Sequence, residues 1–503
     1  MNKNQKSQVV ARAALGLFRM RARSRRYPCE SVAATSSFVG EREFMVTALM
    51  FQIAQWRNRL LRAHPDHLRI AKGAARISAF VLVGKCAGAL KEIAIAYQYG
   101  ISNVVDAYQF TVTLVTWLPG TVLAVLSVVL VPAFVNLRKK SKEQQVQFVG
   151  ELQAAALVTG VIFAIALYLF WPLLMDTMGG AFAASTREMC RQLMLGMAPT
   201  GVLMLAASVY AARLQARERH INTLLEGVPA AAILCCVLLA GNGGSVLPLI
   251  IGTVIGLAVQ ALWLGALARN ADGVHGGLKL SFRSPEWIRT FGAVRTLMIG
   301  QIALCFCAPL DQYFMAHLGE GANGTLGYAN RVLALLLGMG AMAAARATLP
   351  ILSDILHQGD HERARRTALT WSFVALGAGI VCVAVSWVAA PKVIALLFQR
   401  GAFTPDDTIA VARVFRWGLL QLPFYFAVLV CSQMFASEGR FSIMAKIAVA
   451  GFIVKAVGNC LLVSRLGIPG AQLSTAIMYA STFVVCMVLL RMRPDAHEGS
   501  TPD

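Results

Sequence analysis

Charge is scarce in this chain, and negative charge is scarcer still. Only 14% of its 503 residues are Asp, Glu, Lys or Arg, where a soluble protein of ordinary composition carries about 25%. Acids number 25 against 46 Lys and Arg. The eleven cysteines form no CxxC pair and no His/Cys ligand spacing, which argues against a zinc framework or a disulfide scaffold. Most of them (Cys305, Cys307, Cys382, Cys431, Cys460, Cys486) lie inside apolar runs and read as buried thiols. Walker A, G-x-S-x-G and H-E-x-x-H sequences are all missing, and no hydrophilic loop is large enough to be a catalytic domain. Hydrolytic or group-transfer chemistry and a resident cofactor or metal are therefore not expected, and ATP-driven transport would need a separate subunit.

What fills the chain instead is apolar sequence. Hydrophobic residues make up 57% of it, in recurring runs of roughly 20 residues, each long enough to cross about 30 Å of hydrocarbon. Barrel strands would be about 10 residues with alternating polarity. The fold class expected is an all-α polytopic membrane protein of twelve transmembrane helices, near 76–99, 104–135, 150–175, 190–213, 221–240, 246–268, 292–317, 325–352, 367–397, 408–436, 442–464 and 468–491. The loops between them alternate. Those at 138–142, 213–220, 269–289, 357–366, 438–440 and 491–503 are rich in Lys and Arg. Those at 100–103, 176–186, 241–245, 319–325, 399–408 and 464–467 are short, Gly-rich and nearly free of them. A positive-inside chain with both termini in the cytoplasm has this pattern. The net charge of +21 follows from the same loops and the tail, so nucleic acid is not an expected partner.

The chain divides into a basic N-terminal extension (1–74), two halves of six spans (75–270 and 271–491) and a short tail (492–503). The extension has no spanning run; 43–62 reads either as an amphipathic surface helix or as part of a disordered arm. The halves carry a weak repeat. DAYQFTVTLVTWLPGTVLAVLSVVLVP (106–132) and LGYANRVLALLLGMGAMAAARATLP (326–350) each have an early Tyr, an apolar stretch and a terminal Pro, six spans apart. Repeats of this kind place a transporter's site between the halves.

Charges at bilayer depth are costly and normally face a protein interior or a wet cavity. Span one carries Lys85, Lys91 and Glu92, and span eight carries Arg331. Lys85 and Lys91 are about 120° apart around a helix, so both can face one broad cavity. Glu92 has Lys91 beside it, or another helix, for a partner. Asp106 opens span two, either capping its helix or facing the cavity. Arg331 reads either as a cavity cation or as the partner of Asp311 in a structural ion pair. Lys455 and Asn459 share a face of span eleven, and Gln301, Gln421 and Gln472 are milder intrusions. Cations from equivalent early spans of both halves, with few acids to balance them, favour an anionic, phosphate-bearing ligand.

GYANR at 327–331 with ATLP at 347–350, together with LLFQRGAFTPDDT at 396–408, resembles the MurJ/MviN lipid II flippase family over about residues 76–491. The resemblance implies the fold of the multidrug/oligosaccharidyl-lipid/polysaccharide exporter superfamily, two six-helix lobes around a cationic cavity. It implies a flippase that moves an undecaprenyl-diphosphate-linked glycan across the membrane, with cell-envelope glycosyltransferases as potential partners and no enzymatic step. The roles implied are Lys85, Lys91 and Arg331 on the diphosphate, and Glu92, Asp106 and Asn330 in shaping or gating the cavity. Asp311, Asn459 and Thr475 match a sodium site of some members, but Lys455 stands where a further oxygen ligand belongs, leaving a monovalent cation or the membrane potential as the driving force. Two family arginines are lysines here, and the Asp of the YADR-type motif is Asn330. An exopolysaccharide or O-antigen flippase is the alternative function, and a drug/cation antiporter a more distant one.

Overall fold

A computed structural model describes residues 65–492 apart from 218, 220, 241–242 and 275–276. The expected surface helix at 43–62 and the tail beyond 492 lie outside the described residues. Contacts divide the chain between Arg76 and Ile77; in the first unit the described residues, 65–76, are helical. Every regular element among the described residues is a helix. In order they are α1 (Pro65–Tyr99), α2 (Asn103–Leu137), α3 (Lys142–Met178), α4 (Ala184–Met197), α5 (Thr200–Gln215), α6 (Ile221–Leu225), α7 (Val228–Ala240), α8 (Leu247–Asp272), α9 (Glu286–Leu318), α10 (Ala322–His357), α11 (His361–Phe398), α12 (Pro405–Leu419), α13 (Leu422–Ser437), α14 (Phe441–Leu466) and α15 (Ile468–Arg491).

Seven of these are long and apolar enough to cross a membrane, and nine spans result if each of two bent pairs counts as one, by length and composition among the described residues. The remaining three of the twelve expected spans fall on α1, which carries Lys85, Lys91 and Glu92, on α7, only 13 residues long, and on α10, whose side chains are described only in part. The bent pairs are α4 with α5 and α12 with α13, each turning by 41°. They are the fourth span of each half, and each breaks next to a proline, Pro199 or Pro423, that cannot continue the backbone hydrogen-bond ladder. Matching elbows at matching positions extend the repeat first visible in α2 and α10.

Local starts and stops follow the side chains. Ser141 caps α3 by accepting from the Gln144 N–H at 3.4 Å, and Asp360 caps α11 through the Arg363 N–H at 2.9 Å. Thr404 and Asp407 form a reciprocal capping box at the start of α12. Gly273, in the left-handed region with φ +63°, ends α8.

Helices α2 to α8 pack mainly on one another, as do α9 to α15; α2 joins the halves by packing on α9 and α10, and α3 by packing on α9. Small residues set the closest approaches. A Cβ on Gly379 of α11 would lie 2.4 Å from the Pro423 Cα of α13, and one on Gly458 of α14 would lie 2.8 Å from the Ser474 Cβ of α15. At one end Tyr108, Phe110 and Met197 bury with Tyr328, Phe398 and Phe415 in a single cluster drawn from both halves. At the other end the core parts into separate clusters: Phe134, Phe148 and Leu205 of the N-terminal half pack around Trp287 at the start of α9, while Leu352, Met434 and Phe435 pack with Cys486. Cys431 and Cys486 are buried as expected, but Cys460 is exposed on the outside of the helices.

The parted end is the basic one. Arg213 makes a bidentate pair with Asp272 at 2.7 and 2.8 Å, and Arg365 pairs with Glu438 at 3.3 Å. Here Glu151 of α3, fully buried, clasps the segment that links the halves. One carboxylate oxygen accepts from Ser281 Oγ at 2.5 Å and the Arg283 N–H at 2.9 Å; the other accepts from the Ser284 N–H at 3.3 Å and Trp287 Nε1 at 2.8 Å. The linker backbone that this holds includes Phe282 at φ +48°. Removing the acceptor strands two buried donors, the Ser284 N–H and Trp287 Nε1, each costing about 1–3 kcal/mol. Glu151→Ala is expected to lower the thermal unfolding midpoint by several degrees and to make the 278–285 segment cleavable by protease, whereas an unchanged midpoint and cleavage pattern would show that the clasp contributes nothing.

Candidate functional site

The charged residues of the expected site separate into three groups. The first lies where α1 meets α10. Lys91 Nζ is 2.7 Å and Arg331 Nε 2.9 Å from the same oxygen of Glu92, and Arg331 Nη2 donates to Gln109 Oε1 of α2 at 3.4 Å. Glu92 and Lys91 are nearly buried, with side chains 8% and 12% exposed, whereas Arg331 remains 42% exposed. Two cations on one acid leave the cluster net positive. The second oxygen of Glu92 is buried without a hydrogen-bond partner among the described residues. Of the two readings of Arg331, the ion pair with Asp311 is not formed: Glu92 of α1 takes the guanidinium instead, and Asp311 pairs with Lys455. Lys85 does not join this cluster. It is exposed, about two turns back along α1, and its electrostatic neighbour is Glu226.

Beside Arg331, Asn330 Oδ1 accepts from Gln472 Nε2 of α15 at 2.7 Å, and Gln421 Nε2 donates on to Gln472 Oε1 at 3.5 Å. An uncharged amide chain thus occupies the flank of the arginine that an Asp at 330 would have made acidic.

The second group is a seal at the Gly-rich end. The first N–H groups of a helix have no partner within it. For α10 that partner comes from another helix: Asp106 of α2 accepts from the Gly321 N–H at 2.5 Å and the Gly324 N–H at 2.7 Å. Asp106 is 1% exposed. Its side chain makes no cap on its own helix, whose N-cap is Ser102. Around it the Ala402 N–H donates to the Tyr97 carbonyl at 2.8 Å, the Tyr328 hydroxyl to the Gly100 carbonyl at 3.0 Å, and the Ala181 N–H to the Ala316 carbonyl at 3.1 Å. Asn103 Nδ2 donates to Glu320 at 3.1 Å. Tyr328 packs on Phe398 and Phe403 with ring centroids 5.2 and 5.3 Å apart. Every one of these hydrogen bonds joins the N-terminal half to the C-terminal half. At the opposite end a cleft of about 790 Å³ lies between α2, α9 and the start of α14, lined by Val129, Pro132, Leu297 and Phe441, with Lys140 and Glu286 paired at 2.8 Å on its wall.

The third group links α9, α14 and α15. Lys455 Nζ lies 2.8 Å from Asp311 Oδ1 and 2.6 Å from Thr475 Oγ1, and Asn459 Nδ2 donates to Asp311 Oδ1 at 2.9 Å. Lys455 is 1% exposed and Asn459 fully buried.

Gln109 and Tyr328 escaped the sequence reading. A signal was present for each: Gln109 lies three residues after Asp106, and Tyr328 three before Arg331, so each shares a helix face with a charge already singled out.

A family model described as "Lipid II flippase MurJ" matches residues 95–501. Among individual relatives, the probable lipid II flippase MurJ of Bdellovibrio bacteriovorus is 25% identical over 48% of this chain and 46% of its own length. The Helicobacter pylori protein of the same description is 26% identical over 45% of this chain and 50% of its own. The chain thus spans about half the length of these relatives. The match to the Thermotoga maritima probable lipid II flippase MurJ is longer, 24% identical over 81% of this chain and 82% of the relative. Among solved structures, a lipid II flippase MurJ in an inward closed conformation superposes with a TM-score of 0.69 at 18% identity, covering 83% of this chain and 88% of that one. An inward-facing multidrug resistance MATE family transporter of the MOP superfamily gives 0.65 at 14% identity, covering 80% and 94%. The fold is that of the MOP exporters, and the match of the family model over most of its length places this integral membrane chain in the lipid II flippase MurJ family.

Proposed function

We propose that this protein flips an undecaprenyl-diphosphate-linked glycan, lipid II in the first instance, from the cytoplasmic to the outer leaflet of the bacterial inner membrane. The observation that carries this reading is the pairing of Lys91 and Arg331 on one buried carboxylate. The acid holds the guanidinium by its Nε edge and leaves the Nη groups, 3.4 Å from Gln109 at their nearest, to receive a second anion. A diphosphate brings more negative charge than one carboxylate and fits the planar fork of Arg bidentately. Lys91 supplies a point charge beside it, and Lys85, exposed further along α1, meets the substrate on its way in. A cation substrate would want a free acid here, and Glu92 is already matched by two cations. The positive-inside pattern puts the basic loops on the cytoplasmic side, so in this proposal the parted end faces the side on which the lipid-linked substrate is assembled.

Alternating access then requires the seal to break. The Asp106 bonds to α10, the Tyr328 hydroxyl bond and the Ala402–Tyr97 bond all cross between the halves, so outward opening disrupts them together. Asp106 and the α10 N-terminus act as the outer gate, and Arg331, less than three turns along the same helix, moves with it. Asn330 and its glutamine chain keep the arginine's flank neutral, so that no second acid competes with the substrate.

Complementation of a conditional lipid II flippase deletion tests the reading. Arg331→Ala and Lys91→Ala are expected to abolish growth while inserting normally in the membrane, and Lys85→Ala to weaken it. Arg331→Lys keeps the charge but loses the fork, and is expected to lower flipping about ten- to hundredfold, the equivalent of one charge-assisted hydrogen bond. Full activity in all three alanine variants would overturn the assignment. For the gate, a cysteine placed at the buried Ala329 in a background without native cysteines reports opening. Asp106→Ala is expected to speed its labelling by a membrane-impermeant maleimide added from the periplasmic side, and equal labelling with and without Asp106 would remove it from the gate.

A further inference from the structure

The third polar group admits a test of what cation it is built for. Its oxygen atoms on α9, α14 and α15 are the ones the family resemblance assigns to sodium, so the question is whether they are arranged to receive a metal ion or a donor of protons. A hard metal cation needs oxygen lone pairs converging on one point. An ammonium needs acceptors, to each of which it gives a hydrogen.

The hydrogen-bond directions fit the ammonium. Lys455 Nζ donates to Asp311 Oδ1 at 2.8 Å and to Thr475 Oγ1 at 2.6 Å. The Thr475 hydroxyl sends its own proton to the Ala471 carbonyl at 3.0 Å, which leaves a lone pair for Lys455. Asn459 turns its Nδ2 toward Asp311, at 2.9 Å, and its oxygen away, to the Ser474 hydroxyl. A metal ion beside Asp311 would therefore meet the amide's donating end. It would also have to share a space with an ammonium that is 1% exposed and has nowhere to withdraw. Taking a charge this far from water is tolerable only where it is paired and hydrogen-bonded, as this one is.

We infer that Lys455 is a covalently tethered cation standing in the place of an exchangeable sodium ion, so that the junction of α9, α14 and α15 is permanently in the cation-filled state. Asp311, Thr475 and Asn459 position the ammonium and bind no metal in the wild-type protein. The inference does not depend on which lipid-linked substrate the protein carries.

Thermal unfolding of the purified full-length protein in sodium chloride and in choline chloride of equal ionic strength decides it. A ligand that binds the native state raises the midpoint by mass action. The wild-type midpoint is expected to be the same in both salts, and equilibrium dialysis against radioactive sodium is expected to find no saturable site. A sodium-specific rise or saturable binding in the wild type would overturn the inference. Lys455→Ala removes the tethered charge and leaves the carboxylate, and is expected to gain a sodium-specific rise of at least about 2 °C. Its failure to gain one would show that the space is not shaped for an ion. Asp311→Asn retains Lys455 and decides the matter should the alanine variant not fold. It is expected to lower the midpoint equally in both salts, and a loss confined to sodium would count against the tethered cation.

Discussion

A single carboxylate, Glu92, holds the centre of this molecule. Inside a bilayer there is no water to dissolve an isolated charge, so a cation at that depth persists only where the protein provides for it. Glu92 provides for two, Lys91 from its own helix and Arg331 from α10 across the divide between the halves. The pair ties the first span to the eighth and sets the guanidinium's orientation. It also fixes the sign of the site: had a second acid stood at 330, the cluster would be neutral.

The shortage of acids in the composition gives each interior acid a separate task. Glu92 anchors the cations, Asp106 receives the N-terminus of α10, Asp311 holds Lys455 and Glu151 clasps the linker between the halves. Three of these four reach from one half to the other or to the segment between them; Asp311 alone works within the C-terminal half. The halves themselves are built by small residues and apolar packing, which suits a membrane, where burial of apolar surface drives little helix association and close approach matters more.

Much of this was legible in the residues. The alternation of basic and Gly-rich loops placed the helices, because a missed span would have reversed every loop after it, and the Gly-rich stretches at 100–103, 176–186, 319–325 and 399–408 meet in the seal. The α2/α10 repeat was visible in Tyr and Pro spacing. What could not be read was pairing. Asp311 and Glu92 were both available to Arg331, and only the rotation of α9 and α1 about their axes decides between them. The same rotation takes Lys85 out of the cluster that Lys91 joins. Asp106 stands at the start of its own helix without capping it; the helix start it does cap lies more than two hundred residues away, and no local rule contains that information. The 41° elbows have a local signal in Pro199 and Pro423, but a proline alone does not say whether a span bends or ends.

The seal at the Gly-rich end is written mostly in main-chain atoms: the N–H groups of Gly321, Gly324, Ala402 and Ala181, and the carbonyls of Gly100, Tyr97 and Ala316. Such a lock is indifferent to most side-chain drift over evolutionary time, since nearly any residue offers the same backbone groups. Its vulnerability is concentrated in the absence of a methyl group. A Cβ at Gly100 would come within 2.4 Å of the Ala402 carbonyl oxygen, and one at Gly401 within 2.3 Å of the Tyr97 carbonyl oxygen. A lineage can therefore rewrite much of the surface of these loops and still keep the door shut, so long as it keeps Asp106 and Tyr328 and leaves these tight glycines bare.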